Sequence, residues 1–286
     1  MSATPRPAVL ITGCSSGIGR ATARRLALRG TWTVYASARR RTDLAELEAD
    51  GCQTLALDVS DEASMQAAVS WIESRHGAIS VLINNAGFSQ SGAVEAVSLD
   101  KVRAQFEVNV FGLLRLSQLV LPAMRRQRAG RIIHVSSMGG RLVFPGGGVY
   151  HATKYAIEAL GDAMRFELSG FGVHVVLIEP GLIRTNFGHA ARAAMGGEPD
   201  PAYARFHEEV ERLTVAAAES GRSGALAGTA EDVARVIERA ITASRPRARY
   251  LVSPSARLFI WQRRLFGDRA WDWFLGTVYP RPGHDG

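Results

Sequence analysis

The sequence contains little cysteine and no long apolar run. Only two cysteines, Cys14 and Cys52, occur in 286 residues, too few for a disulfide-stapled secreted framework. The N-terminal stretch MSATPRPAVLITG lacks the basic-then-apolar pattern of a signal peptide, and no apolar run reaches the roughly 18 residues needed to span a bilayer. We therefore expect a cytoplasmic protein with free thiols that is soluble or at most peripheral to a membrane.

The sequence also lacks a nucleic-acid-binding motif, although its charge is positive. Its 34 Lys+Arg residues and 27 Asp+Glu residues give a net charge of +7, and the arginines are scattered over helix-like segments. Such a balance suits nucleic acid, an anionic membrane or a phosphorylated cofactor. Because the charge is not clustered, we expect a solvated basic surface, no nucleic-acid partner and no metal site.

Short apolar, β-branched runs recur along the chain, and a longer helical pattern follows each of them. These runs do not alternate with polar residues, as expected for strands that helices cover on both faces. With 47% apolar residues and no clear linker, we expect a single domain over residues 1–286. The pattern predicts an α/β fold, a doubly wound, seven-stranded parallel Rossmann-type sheet. The predicted strands are residues 8–11, 33–37, 54–57, 80–84, 131–136, 174–179 and 249–253.

Two segments fall outside this alternation. Residues 186–228 are rich in Ala and Gly, are interrupted by GGEPDP, and are predicted to form a substrate-side lid or a mobile loop. Residues 256–280 form an amphipathic C-terminal extension that carries Trp261, Trp271 and Trp273 among basic residues. Three interpretations of this extension stay open: packing over the substrate mouth or core, a subunit contact, or contact with a membrane surface.

A glycine-rich loop, TGCSSGIG, stands between the first predicted strand and the first predicted helix. A dinucleotide's pyrophosphate approaches the backbone closely, where a Cβ would collide, and helix N-terminal N–H groups then meet its negative charge. A Gly-rich turn without a ligand is the simpler alternative. The position of the loop favours a dinucleotide site containing Gly13, Ser15, Ser16, Gly17, Ile18 and Gly19.

The end of the second predicted strand lacks the acidic residue that binds a ribose 2′-hydroxyl in NAD-preferring sites. Its tip is Ala38, Arg39, Arg40 and Arg41, and a guanidinium can pair with a 2′-phosphate through two parallel hydrogen bonds. Arg39 therefore predicts NADP (NADPH) as the cofactor, with a solvated loop as the alternative. The nearest acid, Asp43, is expected in the first turn of the next helix.

Asp58 and Val59 follow the third predicted strand in LALDV, and we place both in the cofactor site. Asp58 can accept a hydrogen bond from the adenine amino group. As the alternative it caps the helix of SDEASMQ, although Ser60 suits that role better.

The stretch VYHATKYAIEAL contains two tyrosines with one lysine between them. Residues four apart share a helix face, so Tyr150 and Lys154 can point at the same volume while Tyr155 points elsewhere. Taken alone, such a pair is more often a solvated lysine beside a half-buried ring. The spacing favours Tyr150 as a catalyst and leaves Tyr155 as a packing residue.

Together with NNAG at residues 84–87 and SS at residues 136–137, these motifs make the chain resemble the short-chain dehydrogenase/reductase (SDR) family. The resemblance covers roughly residues 9–187. In detail, GCSSGIG, SSMGG, VYHATKYAIEAL and FGVHVVLIEPG are similar to its hydroxysteroid and retinol dehydrogenase branch.

The resemblance implies four catalytic residues. Tyr150 would be the general acid/base and Lys154 its partner, while Ser137 would orient the substrate oxygen and Asn109 would be the fourth member. Ser137 is implied over Ser136 because it stands at the family's usual separation of thirteen residues before Tyr150. Since a free tyrosine has a pKa of about 10, we expect the charge of Lys154 to favour the phenolate.

Asn109 is expected in a long helix over residues 100–127, where its amide can hold a water that links Lys154 to solvent. An asparagine that bonds locally is the alternative. The family also implies that Asn85, Ala86 and Gly87 form the wall beside adenine and ribose. It assigns the nicotinamide carboxamide to a second group, Pro180, Gly181 and Thr185. The alternatives are amides that satisfy backbone groups at a strand end and, for Thr185, the start of a helix.

These observations predict an NADP(H)-dependent oxidoreductase that interconverts a hydroxyl and a carbonyl on a hydrophobic small molecule, of the steroid, retinoid or long-chain kind. Carbonyl reduction is the expected direction. The expected apolar walls are Met138, Leu142, Val143, Phe144 and Phe187. The alternatives are a 3-oxoacyl-thioester ketoreductase and a non-catalytic NADP-sensing regulatory protein. Relatives commonly form homo-dimers or homo-tetramers through the helices that here carry Asn109 and Tyr150.

Overall fold

Seven parallel strands form the central sheet of the protein, whose computed structural model describes residues 6–185, 200–219 and 226–283. In chain order the strands are β1 Ala8–Ile11, β2 Thr33–Ala38, β3 Gln53–Ala56, β4 Ile79–Asn84, β5 Gly130–Val135, β6 Val173–Pro180, β7 Ile183–Arg184, β8 Gly228–Thr229 and β9 Arg249–Val252. The sheet order is β3-β2-β1-β4-β5-β6-β9, while β7 and β8 pair separately. All seven predicted sheet strands are therefore confirmed, with ends that differ by a residue or two.

Helices cover both faces of the sheet. They are α1 Gly17–Arg29, α2 Ala45–Ala49, α3 Glu62–His76, α4 Leu99–Phe106, α5 Leu113–Gln127, α6 Gly148–Glu167, α7 Ala204–Glu219, α8 Ala230–Thr242, α9 Pro254–Leu265 and α10 Asp268–Val278. Helices α1 and α8 pack on one face, and α3, α5 and α6 pack on the other. This arrangement is the predicted doubly wound α/β fold.

The two faces explain why the strands are apolar throughout. On β1, Val9 and Ile11 belong to the cluster under α1 and α8, whereas Ala8 and Leu10 belong to the cluster under α3, α5 and α6. All four side chains are completely buried. Each large aliphatic side chain buried in this way contributes about 1.5–3 kcal/mol.

The strand order reverses between β1 and β4, and hydrogen bonds connect the segments that follow these two strands. Thr12 follows β1, and its Oγ1 accepts hydrogen bonds from the backbone N–H groups of Asn85 and Ala86, both at 3.0 Å. Carboxyl ends of parallel strands that diverge at such a reversal leave a crevice where ligands bind. The predicted glycine loop and NNAG motif therefore meet at one edge of the sheet.

The predicted helix over residues 100–127 is present but is not uniform. Between α4 and α5 the chain forms a π-helical segment, Glu107–Gly112, without leaving the helix axis. Such segments are rare and are frequent at functional sites. This one contains the buried Asn109.

The C-terminal helices α9 and α10 divide the three tryptophans. Trp271 is buried with Leu142, Ala256 and Ile260, so packing over the core is correct for this residue. Trp261 and Trp273 are 60% and 70% exposed, and their role as a subunit or membrane contact stays a prediction. Within the described residues, no helix has the length and apolarity needed to cross a membrane.

Two local predictions are altered by the structure. Asp61, and not Ser60, caps α3 by accepting a hydrogen bond from Ala63 N at 3.0 Å. The hydroxyl of Ser60 instead donates to Asp58. Tyr155 is 44% exposed, so it is a surface residue and not a packing residue.

The predicted lid over residues 186–228 is described only in part. Residues 186–199 and 220–225 lie outside the described residues, and the intervening segment contains α7.

Cys14 and Cys52 are buried free thiols, in agreement with the prediction.

Candidate active site

A cavity of about 830 Å³ lies beyond the carboxyl ends of the central strands. Most of the predicted site residues line it. They are Gly13, Ser15, Ser16, Gly17, Ile18, Arg39, Asp58, Val59, Asn85, Ala86, Gly87, Ser137, Tyr150, Lys154, Pro180, Gly181 and Thr185. The predicted residues Gly19 and Asn109 are buried behind the wall and support it from outside.

The glycine loop is built for close approach of backbone. Gly13 has a φ of +73°, and a Cβ there would lie 2.8 Å from the Cα of Ala86. A Cβ on Gly19 would lie 2.3 Å from the carbonyl oxygen of Gly13, so Gly19 closes the loop onto α1. Ser16 is the N-cap of α1 but makes no side-chain capping bond, and the first turn holds no acidic residue. The positive N-terminal end of α1 can thus bind an anion, and the loop fits a pyrophosphate.

Arg39 differs from its two neighbours. Arg40 pairs with Asp43 at 3.0 Å, and Arg41 pairs with Glu48 at 3.0 Å. Arg39 is exposed at the end of β2, lines the cavity, and makes no hydrogen bond or ion pair with any described residue. Within the described part of the chain, its guanidinium is therefore unpaired and can bind a ligand anion. Asp43 lies in the turn after β2, as predicted.

The side-chain amides of the NNAG motif form hydrogen bonds with other protein groups. Asn85 Nδ2 donates to the carbonyl oxygens of Thr12 and Gly13 at 2.9 and 3.1 Å. Asn84 Nδ2 donates to Ser117 Oγ at 3.0 Å. The bonds of Asn85 match the backbone-satisfying alternative, whereas Asn84 bonds to a side chain. Asn85, Ala86 and Gly87 still form part of the cavity wall.

Asp58 also has a local partner. Its Oδ1 accepts from the backbone N–H of Ser60 at 2.9 Å and from the Ser60 hydroxyl at 2.7 Å. The hydrogen bond from the hydroxyl lowers the pKa of Asp58, and the nearby charge of Arg39 adds to the effect. Asp58 is thus an ionised acceptor at the cavity wall at neutral pH.

Ser137, Tyr150 and Lys154 converge at the inner end of the cavity. Ser137 follows β5 and is hydrogen-bonded to the hydroxyl of Tyr150, which lies in the first turn of α6. Lys154 Nζ lies 5.6 Å from the centroid of the Tyr150 ring and donates to the carbonyl oxygen of Val135 at 2.9 Å. The hydroxyl of Ser136 is buried and has no partner among the described residues. The geometry therefore joins Ser137, and not Ser136, to Tyr150.

Burial dominates the titration of these groups. It raises the pKa of Tyr150 to about 12, although the hydrogen bond with Ser137 lowers it. In the chain alone, desolvation of the phenolate is thus the largest effect on this pKa, and the expectation that the charge of Lys154 favours the phenolate stays a prediction. Burial also lowers the pKa of Lys154 to about 8, while the charge of Glu158 raises it.

Asn109 is fully engaged with protein groups. Its Nδ2 donates to the carbonyl oxygen of Phe88 at 2.9 Å and to Thr153 Oγ1 at 3.1 Å. Its Oδ1 accepts from the backbone N–H of Phe88 at 3.1 Å. The local-bonding alternative is therefore wrong, because both partners are distant in sequence, and Asn109 links the π-helical segment to the loop after β4 and to α6.

The apolar wall differs in part from the prediction. Met138 and Phe144 line the cavity as expected. Leu142 instead belongs to the buried cluster around Trp271, and Val143 is exposed, because the segment turns toward α10 after Gly140. Phe187 lies outside the described residues.

Several cavity residues were not predicted from the sequence. They come from α7, from the end of α10, from the loop after β4 and from α6: Val210, Leu213, Thr214, Tyr279, Phe88 and His151. No local pattern marks the first four, since they reach the cavity only through the tertiary fold. His151 was detectable as the neighbour of Tyr150.

The sheet order, the glycine loop at the reversal and the Ser–Tyr–Lys group define a dinucleotide-binding α/β protein with an oxidoreductase type of site. Residues 7–196 match the family model described as short chain dehydrogenase, and the chain belongs to this family, the SDRs. The protein is thus an oxidoreductase that acts on hydroxyl or carbonyl groups, and a nicotinamide cofactor is expected.

Known relatives resemble the chain over nearly its full length. It is 34% identical over 274 residues to the NADPH-dependent 3-dehydrocapnine reductase of Ornithobacterium rhinotracheale, covering 92% of this chain and 94% of that one. A short-chain dehydrogenase structure from Streptomyces avermitilis has a TM-score of 0.79 at 32% identity, covering 96% and 97% of the two chains. An SDR from Burkholderia phymatum in complex with NAD has a TM-score of 0.78 at 27% identity, covering 95% and 97%. Relatives of the protein therefore use either NADP or NAD.

Proposed function

We propose that the protein is an NADPH-dependent carbonyl reductase of hydrophobic ketones. The observation that carries the proposal is the guanidinium of Arg39, which has no partner among the described residues and lies at the end of β2, in the place where an NAD-preferring site has a carboxylate. The name of the O. rhinotracheale relative, an NADPH-dependent reductase, supports both the cofactor and the direction.

The residues of the cavity would hold the dinucleotide along its length. The loop Gly13–Gly19 and the N-terminus of α1 would bind the pyrophosphate, and Arg39 would pair with the 2′-phosphate. Asp58, Val59 and the segment 85–87 would form the adenine and ribose wall. A second segment, Pro180 to Thr185, would border the nicotinamide. When bound, the nicotinamide supplies the hydride that reduces the carbonyl carbon.

The chain itself would supply the proton. A high pKa keeps the Tyr150 phenol protonated at neutral pH, which is the form that donates a proton to a carbonyl oxygen. Ser137 would donate a second hydrogen bond to the same oxygen and stabilise the negative charge that develops there. Lys154 is half ionised near pH 8 and would place a positive charge below the Tyr150 ring.

The substrate would be hydrophobic because the outer part of the cavity is apolar. Met138 and Phe144 line it from one side, and Val210, Leu213 and Tyr279 line it from the C-terminal part of the chain. A steroid-like, retinoid-like or long-chain ketone suits such walls. The motif sequences are similar to those of the hydroxysteroid and retinol dehydrogenase branch, and this similarity supports the proposed substrate class.

A homo-dimer or homo-tetramer is proposed through the helices that carry Asn109 and Tyr150. Large side chains on these helices are exposed, namely Phe111, Tyr155 and Phe166. Apolar side chains grouped on helix faces are typical of a subunit interface. Light scattering of Phe166→Ser, compared with the wild type, tests this proposal.

The function is tested with a panel of steroids, retinal, aliphatic ketones and 3-oxoacyl thioesters, each incubated with NADPH or NADH while absorbance of the reduced cofactor is followed. Turnover of hydrophobic ketones with a preference for NADPH is expected. Turnover confined to the thioesters would instead identify a 3-oxoacyl-thioester ketoreductase.

A catalytic variant separates the enzyme from a nucleotide sensor. Tyr150→Phe should lower kcat by about 10²–10⁴-fold while leaving NADPH binding intact. NADPH binding by the wild type without turnover of any panel compound would indicate the non-catalytic NADP-sensing protein.

A further inference from the structure

His151 follows Tyr150 in α6, and its side chain lines the same cavity. The residue is 8% exposed, and its ring centroid lies 5.6 Å from that of Tyr150 and 6.3 Å from that of Phe144. The reduction described above does not use this imidazole. A polar ring buried beside the reacting hydroxyl requires a partner, because burial without one is costly.

One nitrogen of the ring has such a partner. His151 Nδ1 lies 3.1 Å from the carbonyl oxygen of Gly139. A carbonyl only accepts hydrogen bonds, so Nδ1 carries the proton, and in the neutral ring Nε2 is then an acceptor. Burial lowers the pKa of His151 to about 4, so the ring is neutral at pH 7.

The other nitrogen is open. Among residues 6–185, 200–219 and 226–283, no group makes a hydrogen bond to Nε2. Gly139 and Gly147 also pack closely against the ring and hold it in place. A Cβ on Gly139 would lie 2.2 Å from Nδ1, and a Cβ on Gly147 would lie 2.7 Å from Nε2. Gly147 lines the cavity together with His151. The backbone thus presents a fixed acceptor beside Tyr150.

We propose that His151 Nε2 accepts a hydrogen bond from the substrate and selects ketones with a hydroxyl or ammonium donor on a carbon close to the carbonyl. This inference rests on the proposed carbonyl reductase function and defines its substrate class more narrowly. A ketone without such a donor leaves Nε2 unpaired when it displaces water from the apolar wall. Sites built around a hydrogen bond discriminate strongly against analogues that lack it.

Two matched ketones test the inference. The rates of 2-dodecanone and 1-hydroxy-2-dodecanone are compared with NADPH for the wild type, His151→Phe and His151→Gln. The phenylalanine keeps an aromatic ring without the acceptor, whereas the glutamine keeps an acceptor. We expect the wild type to favour the hydroxyketone by about 10- to 100-fold in kcat/KM. His151→Phe should bring this ratio close to one and His151→Gln should restore part of it.

The ratio separates a binding role from a structural one. A structural role predicts that His151→Phe lowers kcat/KM for both ketones equally, and that outcome would overturn the inference. A wild-type ratio near one would also overturn it, even if the variants did not fold. If the wild type reduced neither of these ketones nor any compound of the wider panel, the proposed function would itself be wrong. Turnover with a ratio unaffected by His151→Phe would contradict the inference alone.

Discussion

A cluster of buried charges lies beneath α6, and its centre is Arg249 of β9. The guanidinium contacts Glu158 Oε2 at 2.9 Å, Glu179 Oε1 at 3.1 Å and Asp162 Oδ2 at 2.7 Å. Glu158 and Glu179 are almost completely buried, whereas Asp162 is half-exposed. Arg141 also contacts Glu179 at 3.3 Å, and Arg165 contacts Asp162. Removal of Arg249 would therefore take from the buried Glu158 its described ion pair, while Glu179 would keep its contact with Arg141.

Arg249→Met is expected to destabilise the protein by about 3–5 kcal/mol, since breaking a buried ion pair leaves uncompensated charge in the interior. For a protein of this size the loss corresponds to a fall in Tm of about 10 °C. Arg235→Met is the matched control, because Arg235 pairs with Asp232 at the surface, at 3.1 Å, and with no other acid of the described residues. A surface pair contributes about 0–1 kcal/mol.

The loss should also depend on pH. Burial, with the charge of Glu158 as the next contribution, raises the pKa of Glu179 from 4.5 to about 7. The folded chain therefore holds a proton that the unfolded chain releases, and stability falls as pH rises from about 4.5 to about 7. Without Arg249 this fall becomes steeper, so Arg249→Met should lose more stability at pH 8 than at pH 5.5. Urea unfolding at both pH values measures the difference. A loss below about 1 kcal/mol, or an equal loss at both pH values, would refute the reasoning.

Three further predictions concern the cofactor loop and the surface. Arg39→Ala should raise KM for NADPH by about tenfold and leave KM for NADH unchanged, because the exposed, charge-assisted pairing with the 2′-phosphate is lost; Arg40→Ala is the control, and equal effects on both cofactors would contradict the prediction. Gly19→Ala should lower the free energy of unfolding by about 1–3 kcal/mol through the collision with backbone described above, whereas Gly170→Ala, where a Cβ meets nothing within 4 Å, should change it by less than about 0.5 kcal/mol. If the exposed Trp261 contacts membranes, the protein should sediment with phosphatidylglycerol vesicles but not with phosphatidylcholine vesicles, and Trp261→Ser should weaken this binding; absence of wild-type binding would leave a subunit contact as the interpretation.

Local patterns in the sequence were enough for the sheet and for the inner part of the site. Strands buried on both faces are apolar without alternation, so all seven could be recognised one by one. The glycine loop indicates a dinucleotide site because a strand precedes it and a helix follows it. Tyr150 and Lys154 share a helix face because of the helical repeat, which needs no knowledge of the rest of the fold. The family resemblance added Ser137, and the structure joins it to Tyr150.

The remaining features depend on contacts between residues far apart in the chain. Asn109 meets Phe88 and Thr153 only because the π-helical segment, the loop after β4 and α6 pack together. Tyr279 follows the last helix and lines the cavity, and no local sequence pattern predicts this position. The pKa of Tyr150 also depends on such contacts, since a neighbouring charge is visible in the sequence but burial is not.

The sequence by itself thus determined the class of fold, and it predicted the place of a cofactor and Tyr150 as the residue that moves a proton, because these follow from short-range geometry and from which residues are apolar. Only the tertiary structure determined how deeply that residue is buried, which walls enclose the substrate and which tautomer His151 adopts. Each of these depends on the surroundings that distant segments create, and desolvation and hydrogen-bond partners are set by those surroundings.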